Sequence, residues 1–313
     1  MEYGKLFLVG ILQAALIMLT APLLDGISRR VRARMHSRRG CSIFQTYYDL
    51  FKLLKREQTV PPQASWLFTT TPYILVAILL LLAMIIPSIT LISPLGLVGD
   101  LFAVLYLMAL IRFFFSLSGL DSGSTFAAAG SSREMMLAVL MEPAMIMVML
   151  TLALLTGSSN LGIISTQVAS GQISLLNPAF GIGLIAFFLA TAVETGKLPF
   201  DLAEAEQELQ EGPLTEYSGR GLALMKLALL MKQVIVIALF VALFLPFGGA
   251  ANLSLGSLIW GTVIFLGKLL VFYVLLAFVE NAVARYRIAD VTTITSLSFG
   301  ISLISFVFYL VAS

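Results

Sequence analysis

The chain has 313 residues, 59% of them hydrophobic and only 12% charged, with a formal charge of +2 at neutral pH. Soluble domains carry about 25% charged residues, so the mean hydropathy of +0.99 excludes an ordinary soluble fold. The small net charge gives no footing for nucleic acid. One cysteine, Cys41, and one histidine, His36, leave no means of building an intrachain disulfide, a Cys-ligated cluster or a structural zinc. Any redox metal is expected in a partner.

Apolar runs of about 20 residues, each long enough to cross roughly 30 Å of hydrocarbon, recur along the chain. They are continuous rather than alternating, which argues for helices and against a β-barrel. The expected class is all-α and polytopic, one integral membrane domain over residues 1–313. About eight spans are expected, near 4–24, 70–92, 99–118, 134–156, 178–196, 221–246, 255–282 and 292–312. The first run is longer than a signal-peptide core and its basic cluster follows it, so it reads as a retained helix.

After the first run come Arg29, Arg30, Arg32, Arg34, Arg38 and Arg39, with His36 among them as a solvated residue or, alternatively, a proton relay. The basic loops alternate with loops that carry no Lys or Arg. This places the basic loops in the cytoplasm and both termini outside, in the periplasm if the membrane is a bacterial inner membrane. From Ile43 to Arg56, apolar side chains fall on one face, predicting an amphipathic helix at the membrane surface. Pro61-Pro62 ends it. The outer loops are short and rich in small residues, and no structure is expected in them.

Ionisable residues inside spans are expensive and functional by default. At a 1.5 Å rise per residue, Glu142 lies about 12 Å into the fourth span and Lys232 about 16 Å into the sixth. Lys268 falls about halfway along the seventh. Arg112, Arg133, Glu134, Glu194, Lys226 and Glu280 lie nearer the cytoplasmic ends. Opposite signs at similar depths suggest pairing, either as static locks between helices or as a connected polar path for protons or ions. Pro143 beside Glu142 frees a carbonyl and predicts a kink that admits water.

Between Asp201 and Glu216 stand six acids with no Lys or Arg among them: Asp201, Glu204, Glu206, Glu208, Glu211 and Glu216. Asp201 and Glu204 have capping-box spacing. Glu204, Glu208 and Glu211 would share one helical face, closed by Gly212-Pro213. That face reads as a solvated loop, a dock for a basic partner or a mouth lined with acids.

"ETGKLPFDLAEAEQELQEGPLTEYSG" (Glu194–Gly219) resembles the signature loop of the respiratory complex I subunit 1 family. "RARMHSRRG" (Arg32–Gly40), "RFFFSLSGLDSGSTFAAAGSSREMMLAVLMEP" (Arg112–Pro143) and "LFVALFLPFG" (Leu239–Gly248) agree, so the resemblance covers nearly the whole chain. Within that family it is nearest to the membrane anchors of formate hydrogenlyase and hydrogenase-4. The resemblance implies a subunit with no catalytic residue or metal of its own. Its cytoplasmic loops would hold hydrogenase small and large subunits carrying iron–sulfur clusters and a nickel–iron site, beside antiporter-like membrane subunits in the lipid bilayer. It places Glu194, Asp201, Glu204, Glu206, Glu208, Glu211, Glu216 and Tyr217 in the docking loop, and Arg133, Glu134 and Glu142 in the fourth-span block. Where the family commonly has Gly-Pro-Gly, this chain has Gly40-Cys41-Ser42. Where quinone-reducing relatives usually read Glu-Thr-Asn-Arg-x-Pro-Phe, it has Glu-Thr-Gly-Lys-Leu-Pro-Phe, favouring the hydrogenase branch. A quinone-site subunit and a secondary ion transporter remain the alternatives.

Overall fold

The computed structural model describes residues 2–96, 98–174, 176–203 and 206–312. It is almost wholly helical. The helices are α1 (Glu2–Met35), α2 (Gln45–Leu54), α3 (Trp66–Ile85), α4 (Leu101–Asp121), α5 (Thr125–Thr156), α6 (Leu161–Ala169), α7 (Pro178–Glu194), α8 (Glu206–Leu209), α9 (Gly219–Phe244), α10 (Leu255–Ala282) and α11 (Ile288–Ala312). Among the described residues seven helices are long and apolar enough to cross a membrane. α7, with 17 residues, is the expected eighth, at the short limit for a span. The only strand-like pairings among the described residues are the isolated bridges Thr90–Ala250 and Asp100–Asn160, at the end opposite the acidic loop.

The central element is α9. Every residue from Val234 to Phe244 is buried. α1, α3, α7 and α10 pack against it, and Phe240 and Phe244 join Phe187, Phe180 and Phe272 in one aromatic cluster. α11 closes the bundle against α5 and α7 through small residues. Ser298 donates a hydrogen bond to the Ala186 carbonyl and Ser305 to that of Ala179, so the backbones approach closely, as membrane helices require in a solvent as apolar as their side chains.

Three expectations are revised. α1 runs to Met35, so Arg29 to Arg34 extend a helix rather than a loop. α5 begins at Thr125, which puts Arg133 and Glu134 two turns inside it. The outer loop after α5 holds α6, whose N-terminus is capped by the Asn160 side chain accepting from Gly162 and Ile163. Pro143 lies inside α5, where the expected kink would fall.

Candidate functional site

Arg112 of α4 is buried and faces two carboxylates. One amino group lies 2.6 Å from Glu142 of α5, and the other binds Glu194 at the end of α7. Lys232 of α9 continues the chain, 3.2 Å from the second oxygen of Glu194 and 3.1 Å from Glu134 of α5. The result is an alternating ladder, Glu142–Arg112–Glu194–Lys232–Glu134, built from four helices. Three carboxylates face two cations, so the fully ionised ladder carries one excess negative charge. Glu142 is the most accessible member, its side chain 36% exposed.

The ladder separates two cavities. On the loop side a space of about 50 Å³, room for roughly three waters, is lined by Arg112, Glu134, Glu194 and Lys232 and roofed by Phe200 to Ala203. On the other side of Arg112 and Glu142 lies a space of about 120 Å³ lined by Val104, Met108, Met145 and Met149. Arg112 and Glu142 also line this second, mainly apolar space, so the ladder borders both cavities.

The acidic loop is tied down by cations from other elements. Asp201 pairs with Arg285 at 2.7 Å, Glu208 with Arg133 at 2.7 Å and Glu211 with Lys226 at 3.0 Å. The single acid-faced helix expected here does not form. Instead the four-residue α8, opened by Glu206, precedes a 3-10 turn at Gly212–Leu214, so Gly212-Pro213 starts a turn rather than stopping a helix. The capping box expected of Asp201 and Glu204 falls partly outside the described residues. Glu204, the remaining acid of that face, lies outside the described residues. Gly212, at φ +53°, seats the turn on α5. A Cβ there would come within 2.0 Å of the Ala203 carbonyl oxygen, and one on Gly130 within 2.8 Å of Gly212 Cα. Tyr217 stacks on Phe68 and donates to its carbonyl at 2.9 Å, and burial pushes its phenol pKa up. Glu216 is half-buried and forms no ion pair among the described residues.

A second buried cluster escaped sequence reading. Lys197 sits 3.8 Å from Glu280 and over the ring of Tyr273, and Glu280 also receives Arg32 at 2.9 Å. Burial pushes the Lys197 ammonium pKa down, and the Glu280 carboxylate opposes that shift. Next to it Asp25 takes Arg29 at 2.9 Å and the Thr46 hydroxyl at 2.9 Å. Asp25 at the tail of an apolar run is the available signal; Lys197 looks in the sequence like a loop cation. Lys268 joins neither cluster. Its ammonium donates to the carbonyls of Leu245 (2.5 Å) and Phe247 (2.6 Å), capping the C-terminal end of α9.

A third cavity of about 340 Å³ lies between α1, α2, α9 and the loop, lined by Asp25, Arg29, Leu50, Asp201, Glu211 and Lys226 among others. It adjoins the loop-side cavity at Asp201, Leu229 and Gln233. Among the described residues no group of three or more His, Cys, Asp or Glu is placed to hold a metal ion.

A polytopic bundle with a charged ladder beneath a pinned acidic loop defines the class, and comparison with known proteins places it. The NADH dehydrogenase family model matches residues 8–310, and the chain belongs to that family, the one to which complex I subunit 1 is assigned. It is 48% identical to hydrogenase-4 component C of Escherichia coli over 98% of this chain and 97% of the relative. It is 44% identical to formate hydrogenlyase subunit 4 of the same organism over 96% and 98%. Identity to NADH-quinone oxidoreductase subunit 8 of Rhodothermus marinus is 31%, over 74% of this chain and 70% of that one. A chain of the archaeal membrane-bound sulfane sulfur reductase superposes with a TM-score of 0.85 at 22% identity, covering 97% of this chain and 99% of that chain, and so shares the fold. The resemblance read from the acidic loop is borne out.

Proposed function

We infer that this chain is the membrane anchor of a nickel–iron hydrogenase module in a complex of the formate hydrogenlyase or hydrogenase-4 type. The near-full-length identity to two membrane subunits of those complexes carries the reading, against a lower identity to the NADH-quinone oxidoreductase relative. The loop end faces the cytoplasm of a bacterial inner membrane and both termini face the periplasm. The small and large hydrogenase subunits, holding the iron–sulfur clusters and the nickel–iron site, dock on that end. Antiporter-like subunits pack laterally. The joining of two protons and two electrons to dihydrogen belongs to the docked module. This chain supplies the seat and, through the ladder, a route by which a proton enters or leaves the membrane.

The test is purification of a tagged chain from its own membranes in mild detergent. The expected result is recovery of a hydrogenase pair in equal stoichiometry with hydrogen evolution from a reduced donor. Recovery of the chain alone, active in liposomes, would favour a transporter. That alternative calls for helices broken near the midplane, and the spans here run without a break.

The third cavity supports a second reading, since about 340 Å³ is ligand-sized. A quinone would fit that volume. The ionisable groups around it, Asp25, Arg29, Asp49, Asp201, Glu211 and Lys226, are poor company for an isoprenoid tail. Inhibitor-sensitive quinone reduction by the purified assembly would establish the quinone reading over the hydrogenase one.

A further inference from the structure

At the loop end of α1 the helix ends in a fold-back turn. Ser37 and Gly40 both take positive φ, and the Arg38 amide donates to the Ala33 carbonyl at 2.8 Å. The turn lays Arg38 and Arg39 beside Arg30 and Arg34, and the four line an open basin of about 740 Å³. The nearby acids are engaged elsewhere: Asp25 by Arg29, Glu280 by Arg32 and Lys197, and Asp49 by Gln45. None of the four basin arginines forms an ion pair among the described residues. The helix C-terminus offers only a partial negative charge. Four guanidinium groups gathered without a carboxylate call for a counter-charge from outside the chain.

The depth of the basin says where that charge comes from. The exposed large apolar residues of α1 run from Phe7 to Leu19, and none is exposed again until Met35. The exposed apolar belt of α1 therefore ends near Leu19. α2 lies at that level, with Tyr47 bonded to the Leu19 carbonyl and Thr46 to Asp25. Its Thr46, Leu50 and Leu53 side faces the bundle. Phe44, Tyr48 and Phe51, at helical spacing, stand more than half exposed on another side, and Lys52 and Arg56 take the sector between. An aromatic stripe whose Phe44 end starts where Ile43 meets Gly26, with Arg30 about one turn and Arg34 about two turns further along α1, is the arrangement that meets acyl chains and phosphate together.

We propose that the basin formed by Arg30, Arg34, Arg38 and Arg39, together with the aromatic face of α2, is a binding site for the headgroup of an anionic phospholipid of the surrounding leaflet. The guanidinium groups take the phosphate, bidentately where the geometry allows. Phe44, Tyr48 and Phe51 take the glycerol and upper acyl region.

The experiment is native mass spectrometry of the purified full-length chain in detergent, titrated with cardiolipin, phosphatidylglycerol or phosphatidylethanolamine. The wild type is expected to retain the two anionic lipids in preference to phosphatidylethanolamine. Each basic residue at an anionic surface is worth about fivefold in affinity, so converting all four arginines to glutamine should cost more than about a hundredfold. The four-lysine variant keeps the charge and the fold if glutamine does not, and should stay within about tenfold of wild type. Two results would overturn the proposal. One is a wild type, or a foldable glutamine variant, with no change in preference. The other is a glutamine variant that keeps its anionic lipid but loses the co-purifying soluble subunits, which would make the basin a protein dock.

Discussion

Arg112 carries the site because a guanidinium can serve two carboxylates on different helices at once. Replacing it with methionine leaves Glu142 and Glu194 facing each other with one cation fewer. Breaking a buried pair in this way costs about 3–5 kcal/mol, so Arg112→Met should lower membrane yield and the detergent melting temperature sharply. Arg112→Lys, with the charge but not the fork, should fall between; equal stability of all three would remove Arg112 from the ladder. Lys197 gives a pH-dependent counterpart. Its folded pKa is lowered below 10.5, with burial the leading cause. Between the two values the unfolded chain binds more protons than the folded one, so stability rises with pH across that window. The melting temperature of the wild type relative to Lys197→Met should rise as the pH climbs toward 10.5, and a flat difference would show that Glu280 and Tyr273 fully offset the burial.

At the scale of the element, the acidic loop behaves as a strap rather than a free tail. Glycine at 212 is required by both its positive φ and the space left by the Ala203 carbonyl. Gly212→Ala should destabilise the strap by about 1–3 kcal/mol, the usual cost of backbone strain. The expected readout is faster proteolysis between Leu202 and Thr215 with the transmembrane core intact. Unchanged cleavage would mean that the turn is not what holds the loop. The paired acids make a second prediction. Converting Glu208 and Glu211 to glutamine leaves Arg133 and Lys226 unpaired, so the variant should lose hydrogenase co-purification while still inserting. Undiminished co-purification would show that the loop pairs have no part in docking. The residue pattern alone misreads this element, because its cations lie far away in the chain. Arg133 is 75 residues from Glu208, and Arg285 is 84 from Asp201. Local spacing supplies the acids and the Gly-Pro turn but not the partners, and without them a self-repelling helix looks reasonable.

The whole molecule is legible where hydrophobic length decides, and less so where packing decides. Each continuous apolar run falls on a long helix, although α1 and α5 extend well beyond the runs at their loop ends, and the apolar face along Ile43–Arg56 locates α2. α6 carries no such signal, since nine residues of mixed small and apolar type look like any outer loop until α5 and α9 bury them. Depth counting puts Glu142 and Lys232 well inside their spans and Arg112, Glu134 and Glu194 nearer the cytoplasmic ends, so it suggests pairing without showing that one ladder joins all five. It does not show that Lys268 turns away to cap α9, or that Glu280 belongs with Lys197. The ladder beneath the docked module is the centre of this account, and Glu142, its most accessible carboxylate, is the place to test it. In inverted membrane vesicles carrying the assembled complex, hydrogen evolution from a reduced donor would be measured together with proton movement across the membrane, in wild type and Glu142→Gln. The account predicts an intact complex that still evolves hydrogen, with proton movement reduced by more than about tenfold, the usual scale for loss of a positioned proton-transfer group. Proton movement at the wild-type level in Glu142→Gln would contradict it.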